Sequence, residues 1–222
     1  MNVETLNLTT SNGATTAYVA RPQTEVDAGV ILIQEWWGIN DHIRDLAGRY
    51  ANEGYLCVAP DLYRGRLAAD PAEASALMNA LAIEDGLETI RKAIDAATEA
   101  YSVKRFAITG YCMGGTFALR SACELEGLKA AAPFYGDIPD DNILAKLKVP
   151  TLFIAGERDA WINPEKVNQL REAAKKYNLP VGIVSYDADH AFFNDTRPQV
   201  YDAEAAADAW MRVLEFFKKC MA

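Results

Sequence analysis

This sequence predicts an α/β fold: a mostly parallel central sheet flanked by helices, with an antiparallel hairpin at one edge. Three observations carry the expectation. Apolar, partly β-branched runs recur without strict alternation, the pattern of strands buried on both faces. Segments with apolar residues at helical spacing separate them, and such alternation favours parallel strands. Two β-prone runs at the start flank Ser11-Asn12-Gly13, a hairpin signal.

In chain order, the hairpin strands are VETLNL (3–8) and ATTAYVA (14–20). The buried strands are GVILIQ (29–34), YLCVAP (55–60), KRFAITG (104–110), KAAAPFYG (129–136), VPTLFIAG (149–156) and VGIVSYD (181–187). A helix over 41–53 carries Ile43, Leu46, Ala47 and Tyr50 on one face, with Gly54 as its terminator. Asp70-Pro71 combines an N-cap with a first-turn proline and opens helical pattern to about residue 100, with Gly86 as a candidate break. Asn163-Pro164 repeats the signal before a helix to about 178, and residues 201–219 form a last amphipathic helix. No linker, repeat or low-complexity tract interrupts the 222 residues, so one domain over 1–222 is expected.

Half the residues are hydrophobic and about a quarter charged, as in soluble globular proteins. The net charge of −9 argues against nucleic acid and anionic membrane surfaces as partners. The N-terminal stretch lacks the basic and apolar regions of a signal peptide, and no run approaches membrane-spanning length. Cys57, Cys112, Cys123 and Cys220 are scattered, without a CxxC or Cys/His zinc pattern. A cytoplasmic protein with reduced thiols is expected. Glycines 110, 114 and 115 do not make G-x-G-x-x-G, so no cofactor is implied, and no metal set is visible.

Parallel sheets present functional groups at the carboxyl ends of their strands. Glu35-Trp36-Trp37 follows the first buried strand, Cys112 follows KRFAITG, Glu157-Arg158-Asp159 follows VPTLFIAG, and Asp189-His190 follows VGIVSYD. A nucleophile, an acid and a histidine thus appear in the chain order of the α/β-hydrolase triad. GYCMGG (110–115) has the outline of a nucleophile elbow with cysteine in the serine position. A thiol there faces unpaired amides and the positive end of a helix dipole, which favours thiolate. The same amides can hold an oxyanion, with Met113 N–H as one donor and Trp36 N–H as the second.

Each residue has a plainer reading. Cys112 alone could be a buried apolar thiol; the glycines and the triad order favour a nucleophile. Of the two histidines, His42 opens a helix and reads as structural, whereas His190 reads as general base and acid. Asp159 is preferred over Glu157, Asp187 and Asp189 as the acid that orients it. Glu35 is either part of the site or a salt-bridge partner of Arg44 or Arg64. Trp161 and Trp210 read as packing residues; Phe192 and Phe193 line the pocket or belong to the core.

With these residues in order, the chain resembles the dienelactone hydrolase family, carboxymethylenebutenolidase-type α/β-hydrolases. The resemblance spans nearly the whole chain and rests on six stretches: residues 34–39, 59–63, 110–115, 135–136, 156–159 and 190–192. It implies Cys112 as nucleophile, Asp159 and His190 as its partners, and Glu35 as an acid that contacts the resting thiol and helps deprotonate it. Trp36 and Met113 correspond to oxyanion donors and Tyr135 to a pocket tyrosine. The implied reaction opens an enol-lactone through a thiol ester that water hydrolyses. Cysteine argues for an activated ester or lactone, because a thiol ester forms readily only when the leaving group departs easily. The alternatives are a broad carboxylesterase or thioesterase, or a non-enzymatic small-molecule-binding or redox-thiol relative. One departure stands out. The family pattern holds a substrate carboxylate with arginines, one of them four residues after the histidine; that position is Asn194 here, and residues 67–90 offer no arginine for the other. Arg64 or Arg197 could substitute.

Overall fold

A computed structural model describes residues 1–222. One eight-stranded sheet organises it. Its strands are β1 (Asn2–Thr10), β2 (Gly13–Arg21), β3 (Ala28–Ile33), β4 (Leu56–Pro60), β5 (Arg105–Tyr111), β6 (Leu128–Phe134), β7 (Thr151–Gly156) and β8 (Val181–Tyr186), in spatial order β1-β2-β4-β3-β5-β6-β7-β8. β1 pairs antiparallel with β2, and β2 antiparallel with β4; every other pairing is parallel. The hairpin thus lies at one edge, as the sequence predicts. Its two-residue turn is Ser11-Asn12, bracketed by the Thr10–Gly13 pair, and Gly13 alone takes positive φ (113°).

Seven helices cover the sheet: α1 (Asp41–Asn52), α2 (Pro71–Ala80), α3 (Ile83–Tyr101), α4 (Met113–Glu124), α5 (Asp141–Leu144), α6 (Pro164–Tyr177) and α7 (Ala203–Cys220). Asn40, Asp70, Asn163 and Asp202 cap α1, α2, α6 and α7 by accepting the amide three residues on. Gly86 is not a break. The chain bends at Leu81-Ala82, and Gly86 lies inside α3, where a Cβ would meet the Phe117 ring at 2.2 Å. The glycine is there for close packing. The single-turn α5 carries no signal legible in the sequence pattern.

Two apolar layers explain the unbroken hydrophobic runs. Successive strand residues point to opposite faces: Ile31 and Ile33 pack with α3, α4 and α6, while Val30 and Leu32 pack with α1 and α7. No helix is long and apolar enough to cross a membrane.

Candidate active site

The carboxyl ends of β5, β6, β7 and β8 converge on one cavity of about 330 Å³, lined by Cys112, Tyr135 and His190 among mostly apolar side chains. β5 delivers Cys112. The residue adopts φ 56°, ψ −118°, a strained turn between strand and α4. That turn requires backbone-to-backbone contact on both sides. A Cβ on Gly110 would lie 2.2 Å from Gly114 O, and one on Gly114 would lie 2.3 Å from Ile33 O. Tyr63 supports the elbow from below, its hydroxyl 3.1 Å from Met113 Sδ. Asp61 holds Tyr63 in place by accepting its amide (2.9 Å) and that of Gly65 (2.6 Å), which explains the Ala59-Pro60-Asp61-Leu62-Tyr63 stretch.

β7 and β8 bring the acid to the histidine. The loops after them are tied together: Glu157 N–H donates to Tyr186 O and Arg158 N–H to Ala188 O. Gly156 is pressed against Ala188, where a Cβ would sit 2.6 Å from the carbonyl oxygen. Asp159 then meets His190, with Oδ2 2.6 Å from Nδ1. Its other oxygen accepts the amides of Trp161 (2.7 Å) and Ile162 (2.9 Å). Burial opposes ionisation of Asp159, but the imidazole bond and charge and the two amides outweigh it and hold the carboxyl below the ordinary range. The rivals lie elsewhere. Glu157 is exposed, and Asp187 and Asp189 pair with Arg158 at the surface.

His190 Nε2 is buried without a protein partner, so the nitrogen left free by the Asp159 bond is available to the cavity. No hydrogen bond joins it to the Cys112 sulfur. The thiol is pushed up to about 12, first by burial and then by the nearby Glu35 charge; the Met113 amide pulls the other way but does not prevail. Burial and the Glu35 charge oppose the pull toward thiolate expected from the helix terminus. Burial in an acidic neighbourhood outweighs the helix terminus.

Glu35 is 2% exposed and makes no salt bridge. Arg44 pairs with Asp41, and Arg64 with Asp85. Instead Asn194 Nδ2 donates to Glu35 Oε2 at 2.7 Å, while Asn194 Oδ1 accepts from Thr196. Burial raises the Glu35 pKa; the Asn194 bond and the charges of Arg197 and His190 only moderate the rise. The Trp36 amide donates to no protein acceptor, and Met113 opens α4, where the first amides lack helical partners.

The structure separates the remaining pocket expectations. Tyr135 lines the cavity, at φ 36°, with its ring 5.0 Å from the His190 ring and its hydroxyl buried and unpartnered. Phe192 is fully buried in the core between Tyr135 and Tyr186, and Asn194 is buried beneath the site, so neither lines the cavity. Arg64 faces the β1–β2 turn, bonded to Gly13 O, Thr10 and Asp85; a salt bridge holds it away from the cavity. Sequence reasoning missed Trp161, which packs on His190 (4.9 Å) and Trp36 (5.9 Å). Its position two residues after Asp159, in the same strand-exit loop, was the available signal.

Known proteins share this fold. The model of the dienelactone hydrolase family matches residues 15–221. The chain belongs to the dienelactone hydrolase family. Among its relatives, "Protein usf" of Aquifex pyrophilus is 36% identical over 91% of this chain and 92% of its own length. A protein of Escherichia coli K12 named "Putative carboxymethylenebutenolidase" is 36% identical over 91% of this chain and 82% of its own. A solved Klebsiella pneumoniae structure described as "Putative Dienelactone Hydrolase" superposes with a TM-score of 0.90 at 31% identity, covering 98% of each chain. As a dienelactone hydrolase family member, the protein is a hydrolase that acts on lactone or ester bonds.

Proposed function

We propose that this hydrolase works through Cys112 as a covalent nucleophile, opening activated esters or lactones by way of a thiol-ester acyl-enzyme. The observation that carries the reading is the Asp159–His190 pair, whose free Nε2 shares a cavity with Cys112. Asp159 fixes the imidazole so that Nδ1 holds the proton and Nε2 can accept one. Glu35 is buried, and a carboxylate with a raised pKa is a stronger base than an exposed one. When substrate arrives, the thiol proton passes to Glu35 or His190, and rotation about the Cys112 Cα–Cβ bond turns sulfur toward the carbonyl carbon. The C–S bond forms as the carbonyl π pair moves onto oxygen, where the Met113 and Trp36 amides stabilise it. Collapse breaks the acyl C–O bond and expels the enolate or alcohol, which takes the proton. Water, deprotonated by His190, then attacks the thiol ester; the acyl C–S bond breaks, the carboxylic acid departs, and the sulfur takes back the proton from His190.

A resting thiol pushed up to about 12 also disfavours the redox-sensor alternative, which needs thiolate at neutral pH. Electrospray mass spectrometry of the protein mixed with an activated ester should show transient acylation that disappears on standing, absent in Cys112→Ala. That variant should lose turnover by at least about 10³-fold with an unchanged circular dichroism spectrum. Full turnover in Cys112→Ala would end this reading.

A further inference from the structure

We infer that the acyl pocket is built for an uncharged, apolar acyl group and does not recognise a substrate carboxylate. The inference rests on the cysteine-hydrolase reading above and names the substrate class of that same site.

Part of the cavity wall comes from the α2–α3 corner, which contributes Met78, Leu81 and Ile83. Phe117 and Ile162 extend the same apolar surface. Two charged groups, Lys166 and Asp137, reach the rim alongside these residues, and they neutralise one another at 2.5 Å. A substrate carboxylate would find no free cation there. The Tyr135 hydroxyl, buried and unpartnered on the cavity wall, could donate one neutral hydrogen bond but carries no charge to offset a carboxylate, and the other candidate groups are committed or turned away. The Asn194 amide is held by Glu35, and Arg64 by Asp85 on the far side of the elbow. Arg197, a half-buried cation whose field reaches Glu35 and Cys112, does not line the cavity. A carboxylate entering would also meet the negative field of Asp159 and lose its hydration without a cation to compensate. An alkyl group of the same shape gains from displacing water along this wall.

The test is an isosteric pair: p-nitrophenyl 6-methylheptanoate, and the p-nitrophenyl half-ester of adipic acid, in which a carboxylate replaces the terminal isopropyl group. Spontaneous hydrolysis is subtracted from each. The wild-type kcat/KM should favour the neutral ester by at least about tenfold. Leu81→Arg and Met78→Lys, at the partly solvent-facing α2–α3 corner, should each move the ratio toward the half-ester by about tenfold. Equal or greater wild-type turnover of the half-ester overturns the inference while leaving the cysteine mechanism intact; loss of that turnover in Arg197→Gln would then identify the cation. If neither ester is hydrolysed and neither acylates Cys112, the mechanism itself fails and the inference falls with it.

Discussion

Glu35 carries more information than any other single residue near the site. A carboxyl at 2% exposure, held by one neutral amide donor, has its pKa raised by burial. The unfolded chain ionises this group near the ordinary value of 4.5, whereas the folded chain resists ionisation. Stability is therefore full below that value and declines as pH climbs toward the folded pKa. Glu35→Gln keeps an oxygen for Asn194 and removes the titration. Its melting temperature should exceed that of the wild type, with a gap that widens as pH rises above the ordinary carboxyl value of 4.5. The same variant should lower kcat/KM by about 100-fold if Glu35 takes the thiol proton; unchanged kcat/KM would remove it from the mechanism. At this scale the sequence located Glu35, Cys112, Asp159 and His190 because each follows a strand. It could not choose between a site role and a salt bridge for Glu35, since Arg44 and Arg64 find acids of their own only once the chain is folded.

Among the elements, α4 is the most constrained. Its first turn runs over the ends of β3 and β6 with no side chains between. A Cβ on Gly115 would lie 2.2 Å from Phe134 O, and one on Gly136 would lie 2.1 Å from the Gly115 carbonyl carbon. Gly115→Ala should push α4 from the sheet, cost about 1–3 kcal/mol in urea denaturation, and reduce activity by moving Cys112. A denaturation midpoint equal to that of the wild type would show that α4 can shift to admit the methyl group. The caps at Asp70 and Asn163 were legible because capping is local chemistry. The α2–α3 bend was not, because Gly86 looks the same in sequence whether it breaks a helix or receives the Phe117 ring from another one.

Across the whole molecule, a half-exposed charge cluster ties α1 to the loop that carries His190. His42 on α1 is buried, with Nδ1 3.4 Å from Asp195, and Asp195 also binds Arg49. Burial lowers the His42 pKa, against the opposing pull of Asp195 and Asp45 and with the help of Arg49. Its contribution to stability is present above the ordinary histidine value of 6.5 and is lost as pH falls through the lower folded value. Urea midpoints at pH 7.5 and pH 5.5 should therefore differ more for wild type than for His42→Gln; parallel losses in the two proteins would exclude His42 as the cause. Asp195 follows Asn194, so the same loop steadies Glu35 from one end and meets α1 at the other. What the sequence determined by itself was the sheet, the helix starts and the order of nucleophile, acid and histidine, because periodicity, capping and strand-exit position are written in neighbouring residues. Only the tertiary structure decided that Trp161 joins the cavity, that Phe192, Asn194 and Arg64 do not, and that burial and Glu35 act against ionisation of the thiol. Those outcomes depend on packing and desolvation between segments far apart in the chain, which no local pattern encodes.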